Sequence, residues 1–111
     1  MALNNGVNVC GPGVPFSKIG EAIQHCANSH GYEVSDVFGG HGIGEELLMP
    51  PYVSHVKNTS SSEGEATTGA VMKPGMIFTI EPVLHMYEDM NYYLLNDGFS
   101  VHAKGNPSCQ W

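Results

Sequence analysis

The placement of glycine and proline constrains this chain more than any other feature. With 14 glycines and 7 prolines among 111 residues, few stretches are long enough for an uninterrupted regular element. Asn4-Asn5-Gly6 and Gly11-Pro12-Gly13 make residues 1–14 read as turns. A helical period appears only from Phe16. Phe16, Ile19, Ile23, Cys26 and Ala27 fall on one face, with Glu21, Gln24, His25 and Asn28 on the wet side. Pro15 or Ser17 can start this helix and Gly31 can end it.

Short strands are expected beyond the helix. Residues 33–38 read as one, and residues 39–44 are too glycine-rich for a regular element. Pro50-Pro51 acts as a breaker before a possible strand over 52–56. Residues 57–70 are mostly Ser, Thr, Glu and Gly, a composition that buries no core, and read as a flexible inserted loop. Lys73-Pro74-Gly75 reads as a turn, and residues 76–81 as the clearest strand, stopped by Pro82. Residues 91–95 and 99–103, separated by Asn96-Asp97-Gly98, predict a hairpin. One helix followed by four or five strands is an α+β layer.

Charge excludes several functions. The net charge is −7, with four lysines and no arginine. That balance opposes binding to phosphate backbones or anionic membrane surfaces, so no nucleic-acid or membrane partner is expected. No apolar run approaches the length of a membrane span, and no secretory signal pattern occurs. Cys10, Cys26 and Cys109 lack metal-site or redox spacing and read as free thiols. Neither a His-x-x-x-His pair nor a Gly-x-Ser-x-Gly elbow is present.

Two residues stand out chemically. His41 lies between glycines, which let a backbone approach a ligand closely. An imidazole held there suits metal ligation or substrate hydrogen bonding, or it caps a turn. Glu81 ends an apolar strand and shares a face with Thr79 and Ile77. Buried, its carboxylate needs a metal, a cation or a proton; at a strand end, it is simply solvated. His25 and His30 read as surface residues, and His85 and His102 as structural ones. His55 can face either a site or solvent. Asp97 is better explained by its turn.

Three strings carry a family resemblance. They are Gly40-His41-Gly42-Ile43-Gly44, then Pro51-x-Val53-x-His55, then the run from Met72-Lys73-Pro74-Gly75 to Thr79-Ile80-Glu81-Pro82. Together they resemble type I methionine aminopeptidases, and Asp97-Gly98-Phe99 and Ser108-Cys109-Gln110-Trp111 extend the match. The resemblance implies the C-terminal part of a pita-bread catalytic domain spanning residues 1–111, with one helix against a curved antiparallel sheet. It implies removal of the N-terminal methionine from nascent polypeptides, using two divalent ions (cobalt, manganese, iron or zinc). By the same resemblance, His41 and Glu81 are metal ligands, and Glu81 also acts near the attacking water. Leu47, Leu48, His55 and Phe99 fall on substrate-binding positions. Leu48 stands where the family has a histidine, so one hydrogen bond to substrate is lost. The family's other ligands, two aspartates and a final glutamate, have no counterpart in the 111 residues. The chain alone is therefore expected to be inactive, and the length reads as part of a larger domain with an uncovered apolar surface. The substrate implies a cytoplasmic setting near the ribosome, or an organelle if a transit peptide precedes Met1. The alternative is a non-catalytic pita-bread homologue that binds a protein partner.

Overall fold

The computed structural model describes residues 1–57, 70–86 and 96–97, and the backbone of 92–94, 101–103 and 108–110. Two helices come first, α1 (Ala2–Asn8) and α2 (Ser17–Ser29). The apolar period from Phe16 is confirmed, because Ile19, Ile23 and Ala27 of α2 are buried together with Phe16 just before it. The turn expected at Asn4-Asn5-Gly6 is corrected, since all three residues lie in α1. Tertiary packing explains the difference. Ala2 and Gly6 face α2, and a Cβ on Gly6 would come within 2.9 Å of the Ile23 side chain. The hydrogen that makes glycine a poor helix former is what lets the two helices meet.

Among the described residues, seven short strands follow in three antiparallel sheets. They are β1 (Glu33–Val34), β2 (Gly40–Gly42), β3 (Met49–Val53), β4 (Val83–His85), β5 (Tyr92–Leu94), β6 (Val101–Ala103) and β7 (Ser108–Gln110). The sheet orders are β1-β4-β7, β2-β3 and β5-β6. The strand expected over 33–38 is shorter, because Ser35 Oγ accepts from the Val37 amide and bends the chain there. The β5–β6 pair bears out the predicted hairpin, with Tyr93 opposite His102. Residues 58–69, within the loop expected over 57–70, lie outside the described residues.

Two further expectations are corrected around the glycine run. Gly40–Gly42 is a strand, and Pro50-Pro51 lies within its partner β3. The register explains how prolines are accommodated. His41 pairs with Tyr52 and Gly42 with Met49, so the ladder skips both prolines at a bulge. A residue without an N–H is tolerated where no ladder bond is required. Conversely, residues 76–81, expected as the clearest strand, meet β2 only through the bridge Gly42–Phe78 and a few flanking bonds. Their partner strand is three residues long and already bulged.

Side chains from α2, β1, β3 and β4 converge in one core. Phe16, Ile19, Ile23 and Val53 are fully buried, and Val34, Met72 and Leu84 nearly so. The Phe16 ring meets Phe78 edge-on, with centroids 5.0 Å apart and planes at 79°. That contact ties the 76–81 segment to the helical side. Gly20 of α2 has no room for a Cβ against the Ser54 and Val56 carbonyls. Gln24 Oε1 accepts from the Lys57 amide one turn later. The helix thus holds the segment that carries His55. Among the described residues, no helix is long and apolar enough to cross a membrane.

Candidate active site

β2 and the 76–81 segment build the site between them. The Thr79 amide donates to the His41 carbonyl at 2.8 Å, and the Ile43 amide to the Ile77 carbonyl at 3.0 Å. Gly40 is required at this crossing, because a Cβ there would overlap the Thr79 carbonyl. The pairing sets the two candidate ligands side by side. His41 Nε2 lies 3.4 Å from Glu81 Oε1, and both side chains are partly buried.

Hydrogen bonding assigns the imidazole's protons. His41 Nδ1 donates to the Gly42 carbonyl at 2.9 Å. A carbonyl only accepts, so Nδ1 carries the hydrogen and a neutral ring keeps its lone pair on Nε2. That lone pair faces a carboxylate oxygen, an arrangement that calls for a proton or a cation between them. Two ligands about 2.1 Å from one ion, at angles between octahedral and tetrahedral, are about 3.0–3.4 Å apart. The observed separation therefore fits two donors of a single divalent ion. The Nδ1–carbonyl bond is the support that metal-ligating histidines commonly have. Among the described residues, no third His, Cys, Asp or Glu joins the pair.

His55 lies behind Glu81. Its side chain is buried, and Nε2 accepts from the Glu81 amide at 3.3 Å. The Phe38 backbone also approaches the ring, a contact that favours the protonated form. Burial outweighs both that contact and the Glu81 charge, and holds the imidazole down at a pKa of about 4. His55 is thus a neutral acceptor beneath the carboxylate.

A shallow apolar cavity of about 410 Å³ lies beside His41, walled by Leu48, Met49, Pro50 and Tyr52. Leu48 is 67% exposed and Leu47 72%. Burial and the nearby Asp36 charge raise the Tyr52 phenol, so it stays neutral. The structure therefore brings together His41 and Glu81, puts Leu48 on the wall of a cavity that His41 also lines, sets His55 against the Glu81 amide, and leaves Leu47 exposed. Phe99 lies outside the described residues. Asp97 is in the exposed hairpin turn, as its Asn-Asp-Gly context suggests. Thr79 was not expected to take part, yet its hydroxyl accepts from the His41 backbone amide and donates to the Glu81 carboxylate. The available signal was its period-two spacing from Glu81.

Fold and geometry together place an imidazole nitrogen and a carboxylate oxygen face to face beside an apolar cavity. The model of metallopeptidase family M24 matches residues 1–105, and the chain belongs to that family. The chain is 36% identical over 110 residues to methionine aminopeptidase of Chlamydia pneumoniae, covering 98% of the chain and 35% of the relative. It is 37% identical over 98 residues to the mitochondrial methionine aminopeptidase 1D of Danio rerio, covering 88% of the chain and 26% of the relative. The crystal structure of methionine aminopeptidase from Rickettsia prowazekii superposes with a TM-score of 0.80 at 31% identity. That superposition covers 98% of this chain and 42% of that one. The Thermotoga maritima methionine aminopeptidase, 24% identical, has the same fold, with a TM-score of 0.80 over 98% of this chain and 41% of its own. The chain thus spans about a third of the length of the curated relatives. The expected α+β pita-bread architecture holds as a partial domain, with two helices among the described residues where one was expected.

Proposed function

We propose that this chain carries the histidine and glutamate portion of a methionine aminopeptidase centre, which removes the N-terminal methionine from nascent polypeptides. The observation behind this reading is the facing of His41 Nε2 and Glu81 Oε1 at 3.4 Å within an M24 sequence. His41 would hold one ion through Nε2, fixed by its Nδ1 bond to Gly42. Glu81 would hold it through Oε1 and orient a proton on the attacking water. Two divalent ions (cobalt, manganese, iron or zinc) would polarise the peptide carbonyl and acidify a water molecule. Leu48 and Leu47, with Phe99, would offer apolar surface to the methionine side chain. His55, expected at a substrate position, would serve that reading from behind Glu81. The substrate would be met in the cytoplasm, at the ribosome.

Manganese titration tests the assignment. His41 and Glu81 resonances are expected to broaden first, and His41→Ala to abolish that broadening. Broadening centred elsewhere, or unchanged in His41→Ala, would sink the reading. With cobalt or manganese, this polypeptide alone is expected not to cleave a Met-Ala-Ser peptide, since two described donors do not make a dinuclear centre. Turnover abolished by Glu81→Gln would instead reveal a complete centre.

A second reading draws on Leu48. A leucine at the cavity wall cannot donate a hydrogen bond to a substrate carbonyl. That favours a non-catalytic homologue that binds a protein partner. If so, a chain completed with the family's remaining ligands would not hydrolyse a methionyl peptide while Leu48 is in place, and Leu48→His would be needed to gain hydrolysis. Hydrolysis with Leu48 in place would favour the enzyme.

A further inference from the structure

We propose that Thr79 is the positioning residue of this site, its hydroxyl setting the separation of His41 and Glu81. The inference rests on the reading of those two residues as ligands. Thr79 bonds to both at once. The His41 amide donates to Oγ1 at 3.0 Å, and Oγ1 donates to Glu81 Oε1 at 2.8 Å. A hydroxyl has one hydrogen and two lone pairs. The His41 amide can only donate, so it takes a lone pair and leaves the hydroxyl hydrogen for the carboxylate. The direction of the chain of bonds is therefore fixed, from His41 N–H through Oγ1–H to Oε1.

Three features make this link stiff. Thr79 is β-branched and has few χ1 choices. Its own amide returns a bond to the His41 carbonyl at 2.8 Å, so the two residues are clamped at backbone and side chain. The crossing beneath is closed, because Gly40 leaves no space between β2 and the Thr79 carbonyl. The oxygen that Thr79 holds is the same Oε1 that faces His41 Nε2. Losing the hydroxyl frees that oxygen to turn away while the strand contact survives. A residue that served only the fold would not single out the ligand atom.

Thr79→Val keeps shape and branching and removes only the hydroxyl; Thr79→Ser restores it. In Thr79→Val the His41 amide is expected to exchange at least tenfold faster, and the Glu81 side chain to average over rotamers. The Ile23 amide, in α2, is expected to keep its protection, and Thr79→Ser to behave like the wild type. Manganese affinity at His41 is expected to fall about tenfold, the lower end for supporting groups around a metal. Unchanged exchange and rotamers in Thr79→Val would overturn the inference. So would an equal loss of protection throughout α2, which would mark a merely structural role. Should Thr79→Val not fold, the wild type decides. A slowly exchanging Thr79 hydroxyl proton, close to both the His41 amide and the Glu81 side chain, is expected, and its absence would be contrary. If manganese never broadens His41 in the wild type, the ligand reading fails, while exchange and rotamers still decide the role of Thr79.

Discussion

The helical side and the glycine side of this molecule are held together differently. On the helical side, Phe16, Ile19 and Ile23 are fully buried, and stability comes from apolar area removed from water. On the glycine side, β2 and the 76–81 segment meet through single backbone bonds and one threonine hydroxyl, with Ile77, Leu47 and Leu48 left largely exposed. The first arrangement tolerates small shifts because packing is non-directional. The second depends on the placement of a few polar atoms, which is what holding His41 and Glu81 3.4 Å apart requires. The Phe16–Phe78 contact joins the two.

Phe16→Ala should produce the largest effect, because it strikes that joint. The substitution is expected to cost about 3–5 kcal/mol of stability, read as a lower urea midpoint. Manganese broadening at His41 should disappear with it. If broadening persisted at full stability loss, the glycine side would be an independent unit and the comparison would break.

Acid should produce the next largest effect. Burial depresses His55 from its ordinary value near 6.5 to about 4. Between those values the unfolded chain binds the extra proton and the folded chain does not. The stabilisation is therefore complete above pH 6.5 and is lost as pH falls toward about 4, by on the order of 3 kcal/mol. Burial lowers His85 as well, which acts in the same direction. Urea unfolding at pH 7 and 4.5 checks the sign. His55→Gln should flatten much of the slope, and an unaltered slope would remove His55 from the account.

Leu47→Ser should produce the smallest effect on stability. The residue is 72% exposed, so the change should stay within about 0.5 kcal/mol. Affinity for a methionyl peptide, measured in a chain completed with the remaining ligands, should nonetheless fall. Equal affinity would mean that this rim does not meet the side chain.

Legibility in the sequence followed the same division. The α2 face was readable because Phe16, Ile19, Ile23 and Ala27 repeat at helical spacing, and periodicity directly reflects burial on one side. The β5–β6 pairing was readable because an Asn-Asp-Gly sequence separates the two runs. His41 and Glu81 were readable as candidates from local oddity: an imidazole among glycines and an acid ending an apolar strand. Helix α1 was not, because Asn4-Asn5-Gly6 carries turn preferences that only contact with Ile23 overrides. Nor was β2, since glycines give no strand pattern and the pairing is decided by what crosses them.

Sequence alone determined the side-chain chemistry available here: an imidazole at His41, a carboxylate at Glu81, and a Leu48 that cannot donate a hydrogen bond. Local residue types set those properties wherever the chain runs. Tertiary structure decided how the donors meet. His41 and Glu81 are 40 positions apart in the chain, and nothing local dictates that Nε2 should face Oε1. That alignment follows from a bulge that absorbs two prolines, a glycine with no room for a Cβ, and a threonine hydroxyl bonded to both sides. Each of these is a contact between distant segments, and only the folded chain supplies the second partner.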